Sequence, residues 1–208
     1  MQTYLRPILI TLAILLTVYL SLDIQNLDSE RRRPETEVFD VEKYVADIWE
    51  NQIPRIMHQA IEIPNLLDAL AYNPEEAFRQ HSKVLGISNT HYFLVQGNGV
   101  ITSVNEETIT VAIQDTIIAD IATVFIFGNT VRDASGLVDI SDFANMMDFN
   151  QVSVQMNRLI RNERATPLRN QAQPGMAISL IGATEINRLE EVPSQLFITP
   201  IHYQLHDE

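Results

Sequence analysis

The segment HYFLVQGNGVITSVNEETITVAIQDTIIADIATVFIFG, residues 91–128, decides the fold because apolar and polar side chains alternate along much of its length. A period of two is typical of strands that bury one face. The Asn-Glu-Glu sequence at residues 105–107 interrupts the pattern and predicts a hairpin turn. Residues 115–127 predict one long strand, or two strands separated by a kink. Gly97 and Gly99 predict a bend or bulge where two backbones come close.

Two later runs repeat the strand pattern. They are GMAISLIGA at residues 175–183 and SQLFITPIHYQL at residues 194–205. Together with the earlier segment they give five or six strands, which is a number typical of a small closed or partly closed barrel.

A helix is predicted between the two groups of strands, at residues 142–162. Ser141 or Asp142 is expected to cap its first turn, because a short polar side chain accepts from the free backbone N–H groups there. Apolar residues at spacings of three and four form one face of this helix. Met146 and Met147 are expected to fill gaps in the core, as Met often does.

A helical unit precedes the strands. Apolar residues at spacings of three and four recur in residues 41–63, and Pro54 predicts a kink or break in this helix. Two shorter helices are expected to follow, with Gly86 as the stop signal of the second. The sequence thus predicts an α+β protein, with a helical subdomain at residues 40–87 and a barrel at residues 88–208.

The first part of the chain predicts attachment to a membrane. Residues 4–22 are rich in apolar side chains with Arg6 as their only charge, and we interpret residues 1–22 as a signal anchor or uncleaved signal. A cleaved signal and a buried core helix are the alternatives. Residues 23–39 are polar, contain Pro34 and predict a linker. We expect the amino terminus to lie inside and the acidic body outside, in the periplasm or its equivalent, because long domains translocate largely regardless of charge.

Composition excludes several kinds of function. Acids and bases balance in residues 1–35, so the rest of the chain carries the net charge of −13, which disfavours binding to nucleic acid. The chain contains no Cys, so thiolate chemistry and lipid attachment through Cys are excluded. His202 and His206 share a strand face, but no third metal ligand is evident, and we predict no metal and no cofactor.

Six residues of the chain resemble the core pattern of a bacterial family of unknown function, described as predicted periplasmic lipoproteins. The pattern is a Gly, an Arg-Asp pair, a Phe-x-Asn at a helix start and a later Asn; here these are Gly128, Arg132, Asp133, Phe143, Asn145 and Asn157. The resemblance implies a helical subdomain joined to an OB-like barrel. It also implies a role in carbohydrate uptake, since related genes often lie beside those of sugar ABC transporters.

Two departures from the family pattern affect this expectation. The family usually attaches through a lipobox Cys, which these 208 residues lack. A transmembrane anchor would therefore have to replace the lipid. The Asn at the helix start is usually followed by Gln, whereas Met146 follows here, so any ligand contact made by that Gln is lost.

The Arg-Asp pair has a structural and a functional interpretation. Neighbours on a turn usually point in different directions, so Arg132 and Asp133 are not expected to pair with each other. They are expected either to hold the barrel to the helix or, with Asn145 and Asn157, to line a polar cleft for a small ligand or a transporter component.

We predict a non-catalytic, membrane-anchored accessory binding module. No nucleophile–base pair is evident in the sequence. The alternative is a hydrolase that acts on a small glycoside through barrel-rim carboxylates such as Asp133 and Asp139.

Overall fold

Five long strands form the centre of the structure, a computed structural model that describes residues 39–114 and 116–206. Two very short strands precede the five long ones in the sequence. The strands are β1 (Ile61–Glu62), β2 (Ser82–Lys83), β3 (Thr90–Val104), β4 (Thr108–Ile113), β5 (Ile117–Ala122), β6 (Ala177–Asn187) and β7 (Gln195–His206).

The long strands close into a barrel. Antiparallel pairs join β3 to β4 and β4 to β5, and a parallel pair joins β5 to β7. Antiparallel pairs then join β7 to β6 and β6 back to β3, which closes the ring. Each of these five strands therefore pairs with two others of the ring.

The alternation in the sequence matches the barrel interior. In β4, Ile109, Val111 and Ile113 are buried, while the residues between them are half-buried. Side chains from all five long strands form one apolar cluster, and α-helical residues such as Leu66 and Leu168 complete it. The predicted hairpin at residues 105–107 is confirmed, since β3 and β4 pair on either side of it.

Helices surround the barrel. They are α1 (Val41–Asp47), α2 (Ile53–Ile56), α3 (Ile63–Tyr72), α4 (Pro74–His81), α5 (Thr130–Ser135), α6 (Met146–Ile160) and α7 (Thr166–Gln171). Short 3₁₀ turns occupy Met57–Gln59 and Ile140–Asp142, and π-helical turns occupy Ile48–Gln52 and Arg161–Ala165. The last three α-helices lie in the connection from β5 to β6.

Several predicted element boundaries differ from the structure. The helix expected at residues 142–162 begins at Met146, because Asn145 accepts from the Asp148 backbone N–H and caps it. The helix before Gly86 ends at His81, because Ser82 pairs with Phe93 in β3.

The strand predictions also need two corrections. The strand expected at residues 115–127 ends at Ala122, since the Thr123 N–H donates to the Glu107 carbonyl in the hairpin. β3 continues through Gly97 and Gly99, and its register shift lies between Ile101 and Ser103. A Cβ at Gly99 would lie 2.4 Å from the Ala112 carbonyl oxygen, so the close backbone approach expected there is present.

The helical segment joins the barrel partly through Trp49. This side chain is buried, and the Arg164 guanidinium carbon lies 5.5 Å from the centre of its ring. Arg164 in turn donates from Nε to the Ile201 carbonyl in β7 at 3.0 Å. Trp49 therefore helps to connect the π-helical turn of residues 48–52 to the barrel.

The predicted anchor at residues 1–22, and the predicted linker apart from Phe39, lie outside the described residues. Within residues 39–114 and 116–206, none of the helices has the length and hydrophobicity needed to cross a bilayer. The division between a helical subdomain and a barrel at residue 87 stays a prediction.

Candidate functional site

A groove runs beside α6, between this helix and the loop that leads from β5 to α5. Its volume is about 550 Å³. Its lining residues are Leu85, Ile126, Phe127, Gly128, Asn129, Arg132, Met146, Phe149, Asn150, Ser153, Val154, Asn157 and Arg161. The groove combines apolar walls with amide and guanidinium groups, a mixture typical of binding sites.

The Arg132–Asp133 pair supports the floor of this groove. Arg132 donates from Nε to Asp133 Oδ1 at 2.7 Å, and both side chains are at least 95% buried. The guanidinium carbon lies 3.8 Å from the centre of the Phe149 ring, and Nη1 makes a longer contact of 3.4 Å to the Phe149 carbonyl. Arg132 therefore joins α5 to α6 through its contacts with the ring and the carbonyl of Phe149.

Asp133 and its neighbours connect α5 to the barrel. The second carboxylate oxygen of Asp133 accepts from Asn129 Nδ2. Asn129 Nδ2 also lies 3.1 Å from the Tyr92 hydroxyl in β3. Burial raises the pKa of Tyr92 above its usual value, although its hydrogen bond with Asn129 acts in the opposite direction. This network links α5, α6 and β3, as the structural interpretation of the pair requires.

The expectation that Arg132 and Asp133 do not pair with each other was wrong. They lie in α5 rather than on a turn, and both are buried. A buried charge needs a close partner of opposite sign, and this requirement outweighs the usual divergence of neighbouring side chains.

Asn157 of α6 and Arg161 of the π-helical turn that follows it hold the wall formed by the β5–α5 loop. Asn157 donates from Nδ2 to the Gly128 carbonyl at 2.8 Å. One helical turn further, Arg161 donates from Nη1 to the Ile126 carbonyl. These contacts satisfy carbonyls of an irregular segment and fix its distance from α6.

The four candidate residues fall in different places. Arg132 and Asn157 line the groove, whereas Asp133 is paired with Arg132 and is not part of the lining. Asn145 is exposed and caps α6, with a further contact of 2.8 Å from its Nδ2 to Asp148 Oδ2. The structure thus brings two of the four together in one cavity.

Sequence reasoning missed much of the lining, including Phe127, Met146 and Val154. The expectation that Met146 and Met147 fill the core was wrong, because they are 57% and 69% exposed. One signal was available in the sequence: Met146, Asn150 and Val154 follow one another at a spacing of four, which places them on one face of a helix.

The groove differs in charge from the rest of the protein. Arg132 and Arg161 line it, and none of the described lining residues is acidic. The chain as a whole has a net charge of −13. Asp133 neutralises the charge of Arg132, so the positive character of the groove comes from Arg161.

The two carboxylates of the hydrolase alternative make structural contacts. Asp133 is occupied by Arg132 and Asn129. Asp139 accepts from the Ser141 hydroxyl and backbone N–H, and these hydrogen bonds lower its pKa. Neither side chain lines the groove.

A Ser–His contact lies on another side of the barrel. Ser82 Oγ is 2.7 Å from His91 Nδ1, and it also donates to the Phe78 carbonyl at 2.6 Å. Because the hydroxyl proton is directed at that carbonyl, His91 donates to Ser82 and does not accept its proton. This arrangement is not that of an activated nucleophile.

Within the part of the chain that the structure describes, no group of three or more His, Asp or Glu side chains could hold a metal ion. His206 Nε2 lies 2.9 Å from Ser179 Oγ in β6.

Comparison with known proteins places this architecture in a family. The sequence profile of the family described as predicted periplasmic lipoprotein (DUF2291) matches residues 12–204, which is most of the chain. The chain belongs to this family. The resemblance expected from the Gly, Arg-Asp and Asn positions is thereby confirmed at the level of the family.

A solved structure supports the fold of this DUF2291 protein. This chain is similar to an OB-fold protein from Thermotoga maritima MSB8, with 24% sequence identity and a TM-score of 0.74. The match covers 81% of this chain and 99% of the other. At this identity the likeness shows the fold alone, and it confirms the predicted α+β, OB-like barrel. No curated protein matches the sequence.

Proposed function

We propose that this DUF2291 protein is a non-catalytic, membrane-anchored envelope protein that serves as an accessory binding module in carbohydrate uptake. The groove beside α6 is its binding site. The observation that carries the proposal is the lining of this groove, where exposed apolar side chains stand beside amide and guanidinium groups. A small polar ligand or a component of a transporter is the expected occupant.

The chemistry of the lining suits either occupant. Asn150 and Asn157 bring amide groups, which both donate and accept hydrogen bonds and so match hydroxyl groups. Phe127 is 69% exposed and offers an aromatic surface. Arg161 supplies guanidinium donors. The Arg132–Asp133 pair supports this surface from below and keeps it preorganised.

The family and the first residues of the chain support a location in the cell envelope. The family is described as predicted periplasmic lipoproteins. These 208 residues contain no Cys, so an acyl chain cannot be attached through a thioether within them. We propose that residues 1–22 form the anchor instead, with the body on the outer side. Protease added to spheroplasts should then degrade the body, and its survival would refute this orientation.

A thermal-shift screen with sugars, combined with pull-down from membranes, tests the binding function. A ligand at about 100 times its Kd should stabilise the fold by about 2.7 kcal/mol, or about 5–10 °C. Phe127→Ser should abolish the shift. Phe197→Ser is the matched control, because Phe197 is 65% exposed and lies outside the groove.

The outcomes of this screen separate the alternatives. A shift that survives Phe127→Ser would place the ligand elsewhere and refute the groove as its site. Turnover of a glycoside by the purified protein would refute the non-catalytic proposal. Binding without turnover, lost with Phe127→Ser and kept with Phe197→Ser, is the expected result.

A further inference from the structure

The walls of the groove carry apolar side chains that water surrounds in the isolated protein. Met146 and Val154 of α6 are each 57% exposed, and Phe127 on the facing loop is 69% exposed. All three line the same groove. Contiguous exposed apolar side chains with polar groups around them are typical of surfaces that another molecule covers.

The composition of the groove favours a protein as that molecule. Cores of protein–protein interfaces are enriched in aromatic residues, Met and Arg, and depleted in Lys, Asp and Glu. The described lining contains Phe, Met and Arg, and none of its residues is Lys, Asp or Glu. This selection is notable in a chain with 27 acidic residues. Met also adapts its shape to a partner, because its side chain is flexible and polarizable.

Charge limits the kind of partner. Arg161 is half-buried at one end of the groove, and its guanidinium has donors beyond the one that contacts Ile126. The charge of Arg132 is neutralised by Asp133, so Arg161 is the described lining residue that gives the groove its positive charge. With no acid among the described lining residues, the groove is complementary to a carboxylate and would repel a basic segment.

The shape of the groove fits a helical segment. It follows α6 from Met146 to Asn157, which corresponds to about 16 Å at 1.5 Å per residue. That length matches about three turns of a second helix. Met146 and Val154 on this face of α6 are each 57% exposed, so the side chains of a partner helix can contact them.

We propose that the groove binds an amphipathic helical segment of a partner protein. This segment presents apolar side chains at a spacing of three and four and at least one carboxylate directed at Arg161. The inference rests on the proposed function, since it names the occupant of the proposed binding site.

Selection from a peptide library tests the proposal directly. The full chain, purified in detergent, is used to select from a displayed library of random peptides about 15 residues long, a length that includes three helical turns. The selected peptides are expected to have apolar residues at helical spacing and a net negative charge. Their affinity, measured by fluorescence anisotropy, should fall as salt rises, because exposed charges are screened.

Matched variants locate the binding surface. Met146→Ser should weaken a selected peptide about tenfold, as is usual for a residue at the centre of an interface. Met147→Ser should change it less than twofold, because Met147 is 69% exposed and lies outside the lining. Both positions are exposed, so the two variants should melt within about 2 °C of the wild type. Replacing the peptide carboxylate by its amide should weaken binding to the wild type more than to Arg161→Gln.

Three results would overturn the inference. They are a selection that yields no binding peptide, selected peptides with a net positive charge, and an affinity that Met146→Ser and Met147→Ser change equally. If a sugar stabilises the protein and Phe127→Ser abolishes that effect while no peptide binds, the proposed function stands and the inference fails. If neither sugar nor peptide binds in the groove, both fail.

Discussion

Arg132→Ala should destabilise the fold strongly. The guanidinium and the Asp133 carboxylate are 2.7 Å apart, and their side chains are 4% and 5% exposed. Removing Arg132 leaves a buried carboxylate without its cationic partner, and such losses typically cost about 3–5 kcal/mol. The contact with the Phe149 ring is lost as well. For a domain of this size the loss corresponds to a fall of about 6–20 °C in Tm.

A second Arg provides the control. Arg158 contacts Glu42 at 3.6 Å, but the two side chains are 62% and 70% exposed. Solvent and salt screen such a pair, so Arg158→Ala should change the free energy of unfolding by less than about 1 kcal/mol. Urea denaturation of both variants, monitored by circular dichroism, measures the two free energies under the same conditions.

A double variant distinguishes the ion pair from simple packing. The single variants Arg132→Met and Asp133→Leu are compared with the double variant that carries both. Arg132→Met alone leaves a buried carboxylate unpaired, and the double variant removes that carboxylate. The double variant should therefore be more stable than the sum of the single effects predicts, by about 2–3 kcal/mol. A loss below about 1 kcal/mol for Arg132→Ala would refute the structural role of the pair. Strict additivity in the double variant would refute the electrostatic explanation.

Three further predictions concern other parts of the fold. Asn145→Ala should cost about 1 kcal/mol through loss of the α6 cap and leave peptide or sugar affinity unchanged; weaker binding without loss of stability would show that Asn145 contacts the ligand instead. Gly182→Ala should cost about 1–3 kcal/mol in urea denaturation, because the new Cβ would lie 2.3 Å from Ile198 Cγ2, and an unchanged midpoint would refute this packing argument. Burial, and secondarily the Arg188 charge, lower the pKa of His91 below its usual 6.5, so the unfolded chain takes up the proton first. Stability should therefore decline as pH falls below about 6.5, and His91→Gln should show a smaller decline if His91 is the cause.

The barrel could be predicted from the sequence because each strand carries its own signal. Ile109, Val111 and Ile113 alternate with polar or small residues, and a period of two leaves one choice of buried face. The closure of the ring is different, because it depends on β6 meeting β3 across a separation of many residues. Strand patterns favoured a barrel, but it was the family resemblance that supplied the OB-like arrangement.

The start of α6 could not be fixed by local rules. Ser141, Asp142 and Asn145 are all good capping residues, and they lie within five positions of one another. The structure uses Asp139 and Asn145 as caps, because a 3₁₀ turn at residues 140–142 precedes the helix. Propensity alone cannot choose among several adequate caps when the choice depends on packing.

The groove was not predicted, because Met146 was expected to lie in the core. Phe149, Val152, Met156 and Ile160 form the buried stripe of α6, and Met146 continues this stripe toward the helix start at a spacing of three. Periodicity therefore predicts that Met146 is buried. It is 57% exposed because at this end the stripe faces the groove rather than a neighbouring helix. A period gives the direction of a side chain but not what lies opposite it.

Two sets of residues have different roles. Residues that match the family pattern support the structure, and residues exposed in the groove provide its surface. Arg132 and Asp133 pair inside the fold, and Asn157 holds the Gly128 carbonyl, so these positions fix the distance between α6 and the facing loop. Phe127 and Met146 make the accessible surface; Phe127 lies outside that pattern, and Met146 departs from it. Substitutions at the first set should therefore act on stability, and those at the second on the choice of partner. A groove variant such as Met146→Ser that lost stability as severely as Arg132→Ala would contradict this separation.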